Sequence, residues 1–164
     1  WDTKNISSWD LSLDGAAEIN SFLNASSDVY YFSYSFSATK KDKLTGYHIP
    51  SKDVFLLIRS RAKLLGSRVV FTNNGSETDS TWWENDGIVN SRSMRGPTTG
   101  QNGADPITEY LPSEPLMKGQ WYTFESIKLD HYQSVGHMLS NEKREMLDSI
   151  YINHAQLLWS LPKY

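Results

Sequence analysis

The elements legible in this 164-residue sequence run helix, strand, helix, loop, strand, helix. That order predicts an α/β layered fold with a largely parallel sheet. Three observations carry the prediction. Two aromatic-rich runs, VYYFSYSF (29–36) and WYTFESIKL (121–129), have the composition of strands. Helical patterning lies between them at DVFLLIRSRAKLLG (53–66). The chain then closes on SNEKREMLDSIYINHAQLLWSL (140–161), apolar along one stripe and charged opposite.

Taken in order, SSWDLSLDGAAEINSFLNAS (7–26) reads as a short helix with Ser or Asp caps. Ala17, Ile19, Phe22 and Leu23 are spaced to form its apolar face. VYYFSYSF then reads as a strand buried on both faces. The helix over 53–66 stops at Gly66. GSRVVF (66–71) suggests a short strand, and TNNGSETDS (72–80) is turn chemistry. Between Arg92 and Gly119 fall four of the six prolines and four of the ten glycines, so an irregular excursion is expected there. WYTFESIKL runs directly into Asp130-His131. On the last helix, Leu147, Ile150, Tyr151, His154 and Leu158 make the predicted buried stripe.

Length and composition fit one globular domain, with 38% hydrophobic and 21% charged residues. A net charge of only −3 argues against nucleic acid or an acidic membrane surface as the main partner. No apolar run approaches the ~18 residues of a membrane span. Cysteine is absent, which excludes disulfides and thiolate metal sites. Asn5-Ile6-Ser7, Asn24-Ala25-Ser26 and Asn74-Gly75-Ser76 are sequons compatible with a glycosylated extracellular protein. The 13% aromatic content implies a dense aromatic core or a surface for apolar or carbohydrate ligands.

Chemistry concentrates at two places. WWENDGIVN (82–90) places Asp86 in an Asn-Asp-Gly turn, where local conformational preference alone makes it a turn residue. His131 follows a strand, where a rigid support would project an imidazole. In parallel sheets reacting groups gather on loops at the carboxyl ends of strands, and both residues would lie there. An Asp loop followed by a His loop is also the order in which a Ser…Asp…His triad is completed. No G-x-S-x-G elbow occurs in this sequence, so a nucleophile of that kind is missing from it. His48, His137 and His154 read as loop or packing residues, His154 on the apolar stripe.

WDLSLDGAAEIN (9–20), VYYFSYSFSAT (29–39), LTGYHIP (44–50), WWENDGIVNSRSMRGP (82–97) and LDHYQSVG (129–136) form an ordered set of motifs. In these the chain resembles the C-terminal half of the bacterial thermoalkalophilic and staphylococcal triacylglycerol lipases and their eukaryotic relatives. The resemblance implies that residues 1–164 are the C-terminal segment of one α/β-hydrolase domain. It implies a secreted lipase or carboxylesterase acting on acylglycerols, with Asp86 and His131 as the triad Asp and His. The serine, its elbow and the oxyanion hole are then expected upstream, in an N-terminal half that is this segment's partner. Trp82 and Trp83 are candidates to line an acyl pocket or to pack beside the turn.

The resemblance also implies a zinc site of two Asp and two His. Asp10 matches one of its ligands, with three expected upstream and Asp14 the weaker match. Read locally, Asp10 is a helix-cap residue. Calcium is expected to be absent. In bacterial members it is held by a Gly carbonyl, a Glu two residues after the triad His, and an Asp-Pro pair. Here Lys52 falls near the Gly, Gln133 replaces the Glu and Met138-Leu139 replaces Asp-Pro, leaving too few anionic oxygens. Readings of other classes stay open at this point: a noncatalytic aromatic-rich binding module, or an acyltransferase or thioesterase on the same framework.

Overall fold

The structure, a computed structural model, describes Lys4, residues 6–97 and residues 107–162. Strands β1 (Tyr31–Ser33), β4 (Ile107–Glu109) and β5 (Trp121–Thr123) form a parallel sheet in the order β1-β5-β4. Tyr31 aligns with Trp121 and Ser33 with Thr123; on the other side of β5, Ile107 aligns with Trp121. Pairing continues past β1 and β5 through a parallel bridge between Phe36 and Ile127. The Ser37 amide donates to the Ile127 carbonyl at 2.9 Å, and the Ile127 amide to Ser35 at 2.9 Å. Both chains therefore leave the sheet side by side at its carboxyl end.

VYYFSYSF is not buried on both faces as composition suggests. Ser33, Ser35 and Ser37 are the buried positions, and Phe32, Tyr34 and Phe36 are half-buried. The alternation places small hydroxyls where backbone approaches closely: Ser33 Oγ donates to the Arg95 carbonyl at 2.7 Å. Rings on the other face stack across strands, with Tyr34 on Phe124 at 4.2 Å between centroids. Helix α4 (Asn141–Ser160), capped by Ser140, covers that face. Its His154 meets Phe32 and Tyr34 edge-on, and its Nδ1 lies 3.1 Å from the Tyr34 hydroxyl. The least exposed positions of α4 are Lys143, Leu147, Ile150, His154 and Leu157. Leu158 (48% exposed) and Tyr151 (56%), both expected in the stripe, lie outside it. At about 100° per residue, the seam through Leu147 and His154 continues at Leu157.

The first helical region divides. A turn of helix α1 (Ser7–Asp10) is followed by α2 (Leu13–Asn20), whose cap is Ser12: its Oγ accepts from the Gly15 amide at 3.0 Å. Gly15 fits because a Cβ there would lie 2.0 Å from the Trp9 carbonyl oxygen. The apolar residues from α2 into the turn after it are open, with Ile19 37%, Phe22 59% and Leu23 55% exposed. Strands β2 (Thr39–Lys41) and β3 (His48–Pro50) form an antiparallel hairpin where the Gly- and Pro-containing sequence around His48 suggests a loop. The predicted helix over 53–66 begins as a 3-10 turn at Leu56–Ile58 and becomes α3 (Arg59–Leu65), ending at Gly66 as expected. GSRVVF forms no strand; only a bridge between Phe71 and Glu77 is made. Within the 92–119 excursion the chain contributes β4, a strand the sequence reading missed; residues 98–106 lie outside the described ones.

A small apolar core of Ala38, Val54 and Ile58, with Phe55 and Ile88 against it, sits beneath the loop that follows Trp83. This core supports the site.

Candidate active site

ENDGIVN folds as a tight turn between a pair of bridged residues, Asn85 and Asn90. The Asp86 amide donates to the Val89 carbonyl at 3.1 Å. Asp86 Oδ1 accepts from the amides of Ile88 and Val89 at 2.9 and 2.7 Å, an Asx turn built on the same side chain. Gly87 has φ +98°, and a Cβ there would come 2.7 Å from Ile58 Cδ1. The turn therefore needs glycine twice over, for its dihedral and for its contact with the core.

Asn85 is fully buried and anchors the turn. Its Nδ2 donates to the carbonyls of Ala62 and Trp83, and its Oδ1 accepts from the Gly87 amide at 2.9 Å. Its carbonyl accepts from Ala38 at 2.8 Å, which ties the turn to the extension of β1. Trp83 packs edge-on against Tyr47, and its indole donates to the Arg68 carbonyl at 3.2 Å. Arg92 lies 5.2 Å over the Trp82 ring. Both tryptophans thus brace the turn from behind.

The chain leaving β5 delivers His131 to this turn. Its amide donates to the Asp86 carbonyl at 3.0 Å, and its Nδ1 lies 2.8 Å from Asp86 Oδ2. The Asp86 side chain is 1% exposed and the His131 ring 43%. One carboxylate oxygen therefore builds the turn while the other faces an imidazole that is open on its far side. Outside this pair Lys128, just upstream, bonds Glu84 at 2.8 Å. Burial opposes ionisation of Glu84, but hydrogen bonds from Lys128 and Ser37 and the lysine charge hold its carboxyl below the usual range.

Asp130, which the sequence reading noted only as the neighbour of His131, holds the turn beneath the imidazole. It is 1% exposed, and its Oδ1 accepts from the amides of Tyr132 and Gln133. Its Oδ2 accepts from the Phe55 amide at 2.8 Å, joining the turn to the segment before α3. The signal was an Asp two residues before a turn amide, the Asx pattern already recognised at Asp86. Ser134 Oγ closes the turn by donating to the His131 carbonyl at 2.8 Å.

The metal-linked residues lie elsewhere. Asp10 is the exposed last residue of α1, and Ser12 rather than Asp10 is the cap. Asp14 Oδ1 accepts from the Asn73 amide at 3.0 Å. Among the described residues no cluster of three or more His, Asp or Glu is placed to hold a metal. Asp10 offers one carboxylate, which suits a single zinc ligand and no more. Of the positions tied to calcium by resemblance, Gln133 donates through Nε2 to the carbonyl of Asp53, the neighbour of Lys52, at 3.2 Å. The Lys143 ammonium, however, bonds both Asp53 Oδ2 and Gln133 Oε1. A fixed positive charge between these oxygens does not fit a divalent cation.

His48 on β3 is half-buried beside Thr39 Oγ1 at 3.3 Å, and His137 is exposed. A cavity of about 780 Å³ opens beside β4 and β5, lined by Arg92, Glu109, Thr123 and Phe124 among others; neither Asp86 nor His131 lines it. No helix among the described residues is long and apolar enough to cross a membrane.

A buried carboxylate hydrogen-bonded to a half-open imidazole lies beyond the carboxyl ends of β1 and β5, the region of an α/β fold where functional groups gather. Sequence comparison gives the family. The family described as the lipase-like C-terminal domain matches residues 1–158, and the chain belongs to it. It is 27% identical over 157 residues to a lipase of Staphylococcus hyicus, covering 94% of this chain and 22% of that protein. The structure of EstA from Clostridium botulinum superposes with a TM-score of 0.77 at 32% identity, over 92% of this chain and 35% of that one. The Staphylococcus hyicus lipase structure gives a TM-score of 0.79 at 24% identity, over 96% and 38%, and shares the fold. The chain thus spans about a fifth of the length of the curated lipase it matches.

Proposed function

We propose that this segment supplies the acid–base half of a lipase or carboxylesterase, with Asp86 and His131 acting on a serine carried by the rest of the enzyme. The observation that carries the reading is the 2.8 Å contact between His131 Nδ1 and buried Asp86 Oδ2. With Nδ1–H directed at the carboxylate, the other ring nitrogen is unprotonated and is the general base. It accepts the serine proton as the serine oxygen attacks the ester carbonyl. It returns that proton to the departing alkoxide as the carbon–oxygen bond breaks, leaving an acyl-enzyme. Water, deprotonated by the same nitrogen, attacks the acyl carbonyl and releases the fatty acid and the serine. Asp86 stays ionised throughout and stabilises the imidazolium formed in each step.

The substrate class, an acylglycerol ester, rests on the lipases among the relatives. The open face of α2 and the exposed Leu56, Leu57 and Phe71 support a surface completed by an N-terminal half of the same enzyme. Asn24 and Asn74 stand on exposed loops, which suits glycosylation in a secreted protein, while Asn5 lies outside the described residues. Asp10 is proposed as one of four ligands to a structural zinc. The test is turnover of a soluble ester and of an emulsified triacylglycerol by the full-length enzyme, with Asp86→Ala and His131→Ala beside it. Both variants are expected to lose hydrolysis and to slow labelling by a fluorophosphonate at a serine outside this segment. Retention of turnover by either variant rules the assignment out.

A further inference from the structure

We propose that the Lys143 ammonium is a resident cation that locks the turn carrying His131, in a site that takes no divalent metal. Its kinetic consequence rests on the acid–base reading of His131; its structural consequence does not.

Lys143 sits in the first turn of α4, behind the Ser140 cap. A positive charge there opposes the helix dipole, so helix formation does not account for it. A local conflict of this kind calls for a partner elsewhere in the fold. The side chain is 21% exposed and its ammonium reaches away from α4, to Asp53 Oδ2 and, at 3.0 Å, to Gln133 Oε1. The Lys143 hydrogen bond holds the Asp53 carboxyl below its ordinary range against the opposing effect of burial.

Gln133 is the relay. It is 5% exposed, and its amide makes bonds in three directions. Oε1 accepts from the Asp130 amide at 3.1 Å as well as from Lys143; Nε2 donates to the Asp53 carbonyl. Gln133 and His131 flank Tyr132 in one turn, whose amides converge on Asp130 Oδ1. The imidazole is held by Asp86, and the backbone turn that carries it is held by the Asp130, Gln133 and Lys143 chain. Asp53 Oδ2 and Gln133 Oε1 converge on one point, and two oxygens fall well short of the roughly six to eight a calcium ion takes. A covalently attached ammonium fills that point, and like-charge repulsion excludes a second cation. Lys143 is in these terms a positioning residue, because it reaches His131 only through Gln133 and Asp130.

The experiment uses the full-length enzyme as wild type, Lys143→Met and Asp53→Asn. It measures thermal melting with zinc present throughout, with and without millimolar calcium, amide exchange over 130–136, and kcat and KM on a soluble ester. The wild-type melting temperature is expected to be the same with and without calcium. Both variants should exchange the Tyr132 and Gln133 amides faster and lose several-fold in kcat with KM unchanged. A wild-type melting temperature raised by calcium overturns the proposal. So does unchanged exchange over 130–136 in both variants, or a lowered melting temperature with kcat untouched in an enzyme that needs His131. If His131→Ala retains turnover, the catalytic reading fails separately, and melting and exchange still decide the lock.

Discussion

Asp86 holds His131 at two levels, by the backbone amide of His131 on its carbonyl at 3.0 Å and by the imidazole Nδ1 on its Oδ2 at 2.8 Å. The backbone bond fixes where the ring begins, and the side-chain bond fixes how it points. Its other carboxylate oxygen is engaged by Ile88 and Val89 amides, so the side chain that orients the histidine is itself immobilised by the turn that presents it. Under the proposed function, turn chemistry and acid–base chemistry are two uses of one carboxylate.

This division makes Asp86→Asn and Asp86→Ala different experiments. Asparagine keeps an oxygen for the Ile88 and Val89 amides but turns an NH2 toward His131 Nδ1, forcing the opposite tautomer. We expect kcat of the full-length enzyme to fall about 10³–10⁴-fold with the melting temperature little changed. Alanine also strands two turn amides, each costing about 1–3 kcal/mol if left unpaired. It should lower stability as well as kcat. Kinetics on a soluble ester, paired with urea unfolding of both variants, check the distinction.

Gly87→Ala tests how far the turn depends on its glycine. The φ of +98° costs an L residue roughly 1–2 kcal/mol, and the new methyl would lie 2.7 Å from Ile58 Cδ1. Overpacking of that kind adds about 1–3 kcal/mol. Combining Gly87→Ala with Ile58→Ala should remove the clash but retain the dihedral cost and open a cavity. The double variant is thus expected to remain destabilised, as measured by urea unfolding, and a return to wild-type stability would show the dihedral to be unstrained.

Much of the site was legible because its residues are consecutive or sit beside strong elements. Asn-Asp-Gly announces a turn by itself, and WYTFESIKL announces a strand that must end near His131. The long terminal helix was equally plain. What the sequence hid was contact between distant segments. Asp130 reaching Phe55, and Lys143 reaching Asp53, are tertiary bonds with no periodic signature. Strand β4 was hidden for a related reason: three residues after a Pro- and Gly-rich stretch are too few to show alternation, and only pairing with β5 makes them a strand. The VYYFSYSF run misled in the opposite direction. A strand buried on both faces is what its composition suggests, yet only the serine face is buried, by close backbone packing, while Phe32, Tyr34 and Phe36 stay half-buried.

His48 supplies a pH dependence with a definite sign. Burial pushes its pKa below the ordinary value; Glu84 opposes that, while Lys41 and Lys128 reinforce it. In the unfolded chain the ring takes up a proton near about pH 6.5, before the folded protein does. The contribution to stability is therefore fully present above that pH and is lost as pH falls through the folded pKa. His48→Asn should flatten the stability profile on the acid side of about pH 6.5, relative to wild type. Urea unfolding at a series of pH values measures it, and parallel profiles for the two proteins would show that His48 does not titrate differently on folding.

In the zinc site proposed above, Asp10 is the residue through which this segment would meet the rest of the enzyme. It is exposed at the end of α1, and four ligands are the norm for structural zinc, so its contribution has to be shared with residues beyond this segment. Losing one of four ligands weakens a zinc site without removing the other three. Asp10→Ala in the full-length enzyme is expected to lower zinc retained after dialysis against a weak chelator and to lower the melting temperature only when that chelator is present. Asp14→Ala serves as the comparison, because the Asp14 carboxylate is already engaged by the Asn73 amide. That variant should keep its zinc and lose a little stability regardless of chelator. Metal content by atomic emission, read beside the melting curves, separates the two; equal zinc content in wild type and Asp10→Ala would remove Asp10 from the ligand set.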